Sequence, residues 1–111
     1  MINVRITRES ARGAIASFEV KGHAGYARRG EDIVCAGVSA VTVGTVNSIE
    51  ALAGVSLNTS VKNGFVSGSV PLIEDSSQSD KVQLLLESMV VMLNDIAASY
   101  GKYIQIQEVH H

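Results

Sequence analysis

The spacing of apolar positions changes several times along the chain. Over residues 2–8 apolar and polar side chains alternate, which is typical of a strand with one buried face. Residues 14–21 alternate again, with a shift of register before Phe18, and turn-forming residues separate the two stretches. The pattern therefore predicts a β-hairpin at the start of the chain.

A long apolar stretch follows a glycine-containing loop at residues 22–31. It runs from Ile33 to about Gly54, and a helix is the better interpretation because strands rarely exceed about ten residues. Asp32 suits the N-cap, where its carboxylate can accept a hydrogen bond from a first-turn amide, and Gly54 suits the C-terminal stop. The interior is rich in Val, Thr, Gly and Ser, which are weak helix formers, so tertiary packing must hold this helix.

A second hairpin and a second helix are predicted in the following residues. Residues 56–62 and 65–70 flank Asn63-Gly64, which is a strong signal for a two-residue hairpin turn. Residues 71–80 indicate a surface connection with helix-start chemistry at its end. Residues 81–99 then place apolar side chains at helical spacing.

The last part of the chain completes an α+β pattern. Gly101 ends the second helix, and a closing strand contains Tyr103, Ile104, Ile106 and Val109. The order β-β-α-β-β-α-β predicts a single domain over residues 1–111, with two helices packed on a mainly antiparallel sheet. The second helix also carries Leu84, Val90, Val91 and Met92 around its circumference. One sheet covers only one face of a helix, so this surplus indicates a partner helix or a homodimer, and full packing within the monomer is equally favoured.

Composition and charge exclude several kinds of function. The net charge is -2 and the nine Lys and Arg residues are scattered, so the chain lacks the basic patch that direct nucleic-acid binding requires. No apolar run reaches the length of a membrane span, and the N-terminus lacks the features of a signal peptide, so the cytoplasm is the expected location. A lone cysteine and one internal histidine leave too few ligands for a metal, and no cofactor is predicted. The terminal His110-His111 pair is consistent with the remnant of a purification tag and is given no function.

Cys35 and His23 are the candidates for catalytic chemistry. Cys35 falls at the third position of the first predicted helix, where free amides and the helix dipole favour a thiolate, although the carboxylate of Asp32 opposes it. His23 lies at the mouth of the glycine-containing loop. By position alone, a buried cysteine that only packs and a solvated surface histidine are the commoner cases.

Two segments of the sequence favour the catalytic interpretation of Cys35 and His23. Gly22-His23-Ala24 and the run DIVCAGVS from Asp32 to Ser39 match throughout the pattern of the ribosomal-processing cysteine protease family, found in many Firmicutes. Weaker similarity continues through an Asn-Ser-Ile-Glu segment at 47–50, the Asn63-Gly64 hairpin and the second helix. The chain thus closely resembles this family over essentially its full length.

The resemblance implies a specific activity. Members of this family are cysteine endopeptidases that remove a short N-terminal extension from a large-subunit ribosomal protein, cutting after an aromatic residue, and they are usually homodimers. The family's nucleophile and base correspond to Cys35 and His23. The alternative from another class is a non-enzymatic ribosome-assembly or peptide-binding module, and the retention of both residues in the matching motif counts against it.

Supporting roles for three further residues are hypotheses. Asp32 would either orient His23 as the third member of a triad or simply cap the helix, and capping is favoured. Ser39, one turn beyond Cys35, would line the site or bond back to a helix carbonyl. The amides of Cys35 and Ala36 are candidates for the oxyanion hole.

The loop from residue 22 to residue 31 is a candidate flap. We expect it to be mobile without peptide, with His23 out of reach of Cys35, and to become ordered over a bound substrate. An ordinary flexible connection is the alternative. Arg28 and Arg29 would bind a substrate carboxylate or remain solvated. The candidate substrate-loop residues are Gly22, Gly25, Tyr26 and Gly30.

Overall fold

The computed structural model describes residues 1–28 and 30–111, and in this part of the chain five strands and two helices are formed. The strands are β1 (Ile2–Arg8), β2 (Ile15–Gly22), β3 (Asn58–Lys62), β4 (Phe65–Ser69) and β5 (Ile104–His110). The helices are α1 (Ile33–Ala53) and α2 (Ser76–Ser99). The order β-β-α-β-β-α-β confirms the predicted α+β class.

The strands form one sheet in the order β3-β4-β2-β1-β5. Neighbouring pairs are antiparallel except β1 and β5, which are parallel, so the sheet is mainly antiparallel as predicted. Ile2, Val4 and Ile6 point to the covered face of β1 and are at most 2% exposed, whereas the residues between them face solvent. This alternation places the helices on one side of the sheet and leaves the other side polar.

Helix α1 is held by a single buried stripe. Two of its buried residues are threonines, and their hydroxyls donate to carbonyls in the preceding turn, Thr42 to Val38 at 2.9 Å and Thr45 to Val41 at 2.6 Å. Because both hydroxyl groups are hydrogen-bonded, their burial costs little free energy. The buried positions are Val34, Val38, Thr42, Thr45, Ile49 and Ala53. Packing of this stripe explains how a helix forms from weak helix formers.

The predicted end of α1 is confirmed, but the predicted start of α2 is wrong. Gly54 caps α1 with a φ of 69°, and its amide donates to Glu50. Helix α2 begins at Ser76 rather than at residue 81, because Asp75 caps it. The polar first turns of α2 carry no apolar period, which begins only at Val82, so periodicity could not find them.

The apolar surplus of α2 is only partly covered by the fold. Val90 is buried, whereas Leu84, Val91 and Met92 are 71%, 61% and 38% exposed. By length and composition both helices could cross a membrane, contrary to the expectation from the apolar runs, but core helices meet the same criterion. Each helix buries one face in the hydrophobic core, which accounts for much of this apolar character.

The two terminal histidines lie at the end of the parallel pair. His110 is the last residue of β5 and lies beside Arg8, and the amide of His111 donates to the Arg8 carbonyl at 2.9 Å. Arg8 also pairs with Glu87 and Glu108, which joins β1, α2 and β5. This cluster lies at the opposite end of β1 from Ile2. The interpretation of the histidines as a tag remnant stays a prediction.

Candidate active site

Cys35 is positioned by the cap of α1. The backbone of Asp32 is extended, and its Oδ1 accepts hydrogen bonds from the amides of Val34 and Cys35, both at 3.0 Å. The predicted N-cap is therefore confirmed. Because Cys35 is the third residue of α1, its half-buried side chain lies at the positive end of the helix dipole.

The second oxygen of Asp32 binds the loop that precedes the helix. Its Oδ2 accepts from the amides of Tyr26 at 3.0 Å and Ala27 at 3.3 Å. These four backbone donors, the amide of Cys35 foremost, hold the pKa of Asp32 below its ordinary value. Among the described residues Asp32 makes no hydrogen bond to His23, so the geometry is that of a cap and loop clamp rather than a triad member.

The hypothesis that the amides of Cys35 and Ala36 form the oxyanion hole is not supported. The Cys35 amide donates to the Asp32 carboxylate, and the Ala36 amide donates to the Asp32 carbonyl at 3.0 Å. Both donors are therefore occupied within the first turn. The amide that approaches the sulfur comes instead from the loop, since the N–H of Ala24 donates to Cys35 Sγ at 3.3 Å.

His23 lies against the turn between β3 and β4. A Cβ atom on Gly64 would lie 2.7 Å from His23 Nε2, so the imidazole would have to move if this residue carried a side chain. The same residue has a φ of 72°, as the two-residue turn requires. The Gly22 amide donates to the Gly64 carbonyl at 2.9 Å, which joins the His23 segment to this turn. The sequence predicted Asn63-Gly64 only as a turn, and the contact of Gly64 with the His23 ring was not predicted.

Cys35 and His23 face one cleft. It has a volume of about 800 Å³ and lies between the start of α1, the loop and the β3–β4 hairpin. The two side chains are not hydrogen-bonded to each other in the described part of the chain, and the expected approach of His23 on peptide binding stays a prediction. Apolar residues form much of the lining, namely Val38, Val43, Val61, Phe65 and Val66.

Most of the supporting residues predicted from the sequence also line this cleft. They are Gly22, Gly25, Gly30, Asp32, Ala36 and Ser39. Tyr26 does not. Its ring packs edge-on against Tyr100 and Tyr103, with ring centroids 5.7 Å and 5.2 Å apart. Tyr26 therefore joins the loop to the end of α2 instead of contributing to the wall of the cleft.

The loop makes more contacts than its glycine content predicts. Ala24 is only 5% exposed, and the amide of Glu31 donates to the carbonyl of Arg28 at 2.9 Å. The guanidinium of Arg28 lies 3.6 Å from the Glu31 carboxylate at an exposed site. Arg29, the other candidate for binding a substrate carboxylate, lies outside the described residues. The loop is thus held by the core at Ala24, and by a hydrogen bond and an ion pair between Arg28 and Glu31.

Comparisons with known proteins agree with this site. A family model described as cysteine protease Prp matches residues 1–105. The ribosomal processing cysteine protease Prp of Bacillus subtilis is 39% identical over 108 residues, which cover 96% of each chain. The protein of the same name from Staphylococcus aureus is 34% identical over 106 residues, which cover 96% of this chain and 97% of the relative.

A solved structure extends the similarity to the whole fold. The ribosomal processing protease Prp of Staphylococcus aureus, crystallised with a covalently linked product peptide, superimposes with a TM-score of 0.86 and 32% identity. The similarity covers 97% of this chain and 99% of that one. The chain therefore belongs to the ribosomal-processing cysteine protease family and is a cysteine protease.

Proposed function

We propose that this protease removes the N-terminal extension of a large-subunit ribosomal protein, cutting after an aromatic residue with Cys35 as nucleophile and His23 as base. The observation that carries the proposal is the cleft, because it brings these two side chains and an apolar wall together. Relatives from Staphylococcus aureus have been crystallised with a substrate peptide and with a covalently linked product peptide. A covalent product is what a thiol nucleophile would leave.

The reaction follows from the chemistry of the two residues. His23 accepts the thiol proton, and the sulfur of Cys35 attacks the carbonyl carbon of the scissile bond. The tetrahedral intermediate collapses to a thioester as the C–N bond breaks, and His23 gives its proton to the leaving amine. Water activated by His23 then hydrolyses the thioester and frees the thiol. Each step requires the imidazole to leave its place against Gly64 and approach the sulfur.

The wall of the cleft supports an aromatic residue at the cleavage site. Val43 and Val61, which is 63% exposed, offer apolar surface in the same cleft as the nucleophile. Burial of an aromatic side chain of about 150–250 Å² against such a wall would supply much of the binding energy. Replacing that side chain with alanine should therefore weaken transition-state binding more than any other single change in the peptide.

The protease is also proposed to act in the cytoplasm as a homodimer. The exposed side chains of Leu84, Val91 and Met92 on α2 support the dimer, because they form apolar surface that the monomer does not cover. Sedimentation of the protein with each of these residues changed to a charged one would test it. Persistence of the dimer in all three variants would remove α2 from the interface.

The decisive experiment uses the extension of the ribosomal protein encoded in the same genome. A synthetic peptide that spans the cleavage site is incubated with the protein, and the products are identified by mass spectrometry. We expect one cut after the aromatic residue, at least ~100-fold slower cleavage when that residue is alanine, and no cut by Cys35→Ala. Binding of the peptide without cleavage by the wild-type protein would support the non-enzymatic peptide-binding module instead.

A further inference from the structure

We propose that the backbone N–H of Ala24 is a catalytic hydrogen-bond donor that holds the Cys35 thiolate and then the oxyanion formed in the reaction. The second half of this inference rests on the proposed function, whereas the first half concerns the free enzyme. The observation that carries it is the hydrogen bond from the Ala24 amide to Cys35 Sγ at 3.3 Å. No sequence signal points to this atom.

The other amides close to the nucleophile have partners. Within the described residues, the amides of Val34 and Cys35 donate to the Asp32 carboxylate, and that of Ala36 donates to the Asp32 carbonyl. The Asp32 side chain thus satisfies the donors that normally make a helix start attractive to an anion. The loop amide of Ala24 compensates, since a neutral donor aimed at sulfur favours the charged thiolate over the thiol.

The position of this donor is fixed from both sides. Two residues earlier the Gly22 amide is bonded to Gly64, and two residues later the Tyr26 amide is bonded to Asp32. The methyl group of Ala24 is itself buried in the hydrophobic core, at 5% exposure. A donor held in this way needs little reorganisation when charge appears beside it, which is the condition for effective electrostatic catalysis.

Base and donor are consecutive residues. His23 contributes its side chain and Ala24 contributes its amide, so a displacement of the loop moves both groups relative to Cys35. In its observed place the loop supplies the donor, and the imidazole must still turn from Gly64 toward the sulfur. The loop next to α1 therefore supplies two groups that the start of the helix does not, namely an imidazole and an amide directed at the sulfur.

The N–H of Ala24 would stabilise two negative charges in succession, first on the sulfur and then on the carbonyl oxygen. In the free enzyme it bonds to sulfur. When the S–C bond forms, the π electrons of the scissile carbonyl move to its oxygen, and a donor that stabilises this oxygen must lie about 2.7–3.1 Å from it. The N–H of Ala24 then donates to this oxygen. When the carbonyl reforms, the C–N bond breaks, its electron pair goes to the leaving nitrogen, and His23 supplies the proton.

The test removes this one N–H and keeps the side chain of Ala24. Residues 1–34 are synthesised with lactic acid in place of Ala24, so that an ester replaces the amide and the methyl group is kept, and the segment is ligated at Cys35 to residues 35–111. The matched control carries lactic acid at Ala11, an exposed turn residue far from the cleft. Wild-type chain made by the same ligation is the reference, and thermal unfolding is measured on all three.

Two readouts separate this proposal from the proposed function. Alkylation by iodoacetamide needs no substrate: in the Ala24 ester it should be about tenfold slower at neutral pH and approach the reference at alkaline pH, where the thiol is ionised without help. Cleavage of the extension peptide should fall about 100-fold, as for loss of an oxyanion donor. The control should match the reference in both.

Each alternative outcome is decisive. Unchanged alkylation at neutral pH would overturn the role at the resting sulfur, and unchanged cleavage would overturn the role at the oxyanion. If wild-type protein cleaves no extension peptide at all, the proposed function fails, but the alkylation result still decides the first half. Slower alkylation at every pH with a lower unfolding temperature would mean that the ester disturbs the loop, and would overturn the proposal.

Discussion

Both helices are capped by an aspartate, but the two carboxylates bind different sets of amides. Asp75 accepts hydrogen bonds from Ser77 and Gln78, at 2.9 Å and 3.3 Å, both within its own helix. Asp32 does the same for α1 with one oxygen and binds two loop amides with the other. The same local signal therefore gives a simple helix start in α2, whereas in α1 it also joins the helix to the loop of the active site.

The difference matters because of what lies on either side of Asp32. Three residues later is Cys35, and the bonded loop carries His23 and Ala24. A carboxylate that accepts hydrogen bonds from the amides of both segments sets the distance between the nucleophile and the loop. The position of Asp32 therefore has to suit both the helix and the loop, whereas that of Asp75 has to suit only its own helix.

The largest effect is expected where the loop supplies chemistry directly. His23→Ala removes the base, so cleavage of the extension peptide should fall by at least ~100-fold, and iodoacetamide should alkylate Cys35 more slowly at neutral pH. His110→Ala, on β5 away from the cleft, is the matched control. Equal alkylation rates and pH profiles for His23→Ala and wild type would mean that the imidazole does not activate the sulfur.

A smaller effect is expected from Asp32→Asn, which separates the two functions of the cap. Asparagine caps a helix about as well as aspartate, but its amide nitrogen cannot accept from Tyr26 and Ala27. Cleavage should fall roughly 10–100-fold because the loop loses its position relative to Cys35.

Asp75→Asn provides the matched comparison and should leave cleavage unchanged. Asp75→Ala should cost about 1 kcal/mol of stability and nothing in activity. Equal activity of the two asparagine variants would show that the bonds from Asp32 to the loop carry no functional weight, and that the two caps are equivalent.

Acid should break the hydrogen bonds that Asp32 accepts. Because the pKa of Asp32 is lowered in the folded protein, its hydrogen bonds stabilise the fold above the unfolded value of about 3.9, and this contribution is lost as the pH falls through the folded pKa. The amides of Tyr26 and Ala27 should shift in NMR spectra over this range. Asp32→Asn should lack the transition, and its presence in that variant would assign it to another group.

The smallest effect is expected at the outer end of the loop. Tyr26→Ala removes edge-on contacts with Tyr100 and Tyr103, so amide exchange in residues 22–31 should quicken, and stability should fall by about 1 kcal/mol. Tyr26→Phe keeps the ring and serves as the control. A non-cleavable peptide should slow exchange in both variants. A free loop already as protected as α1 would contradict the proposed flap.

The elements whose signals are local could be predicted from the sequence. Alternation marked β1 and β2, Asn63-Gly64 marked the β3–β4 turn, and Asp32 and Gly54 marked the ends of α1. Caps and turns depend on residues only a few positions apart, so one chain read in order is sufficient. Cys35 and His23 were found through a motif resemblance, since spacing alone favoured neither as catalytic.

How these elements meet depends on contacts between distant parts of the chain. The parallel pairing of β1 with β5, the place of His23 against Gly64 and the bond from Ala24 to the sulfur all join residues that no local pattern connects. The second role of Asp32 belongs with them, because a carboxylate has two oxygens and the cap pattern accounts for one. Which amides reach the other oxygen depends on where the sheet and α1 place the loop, and that follows from packing of the whole core.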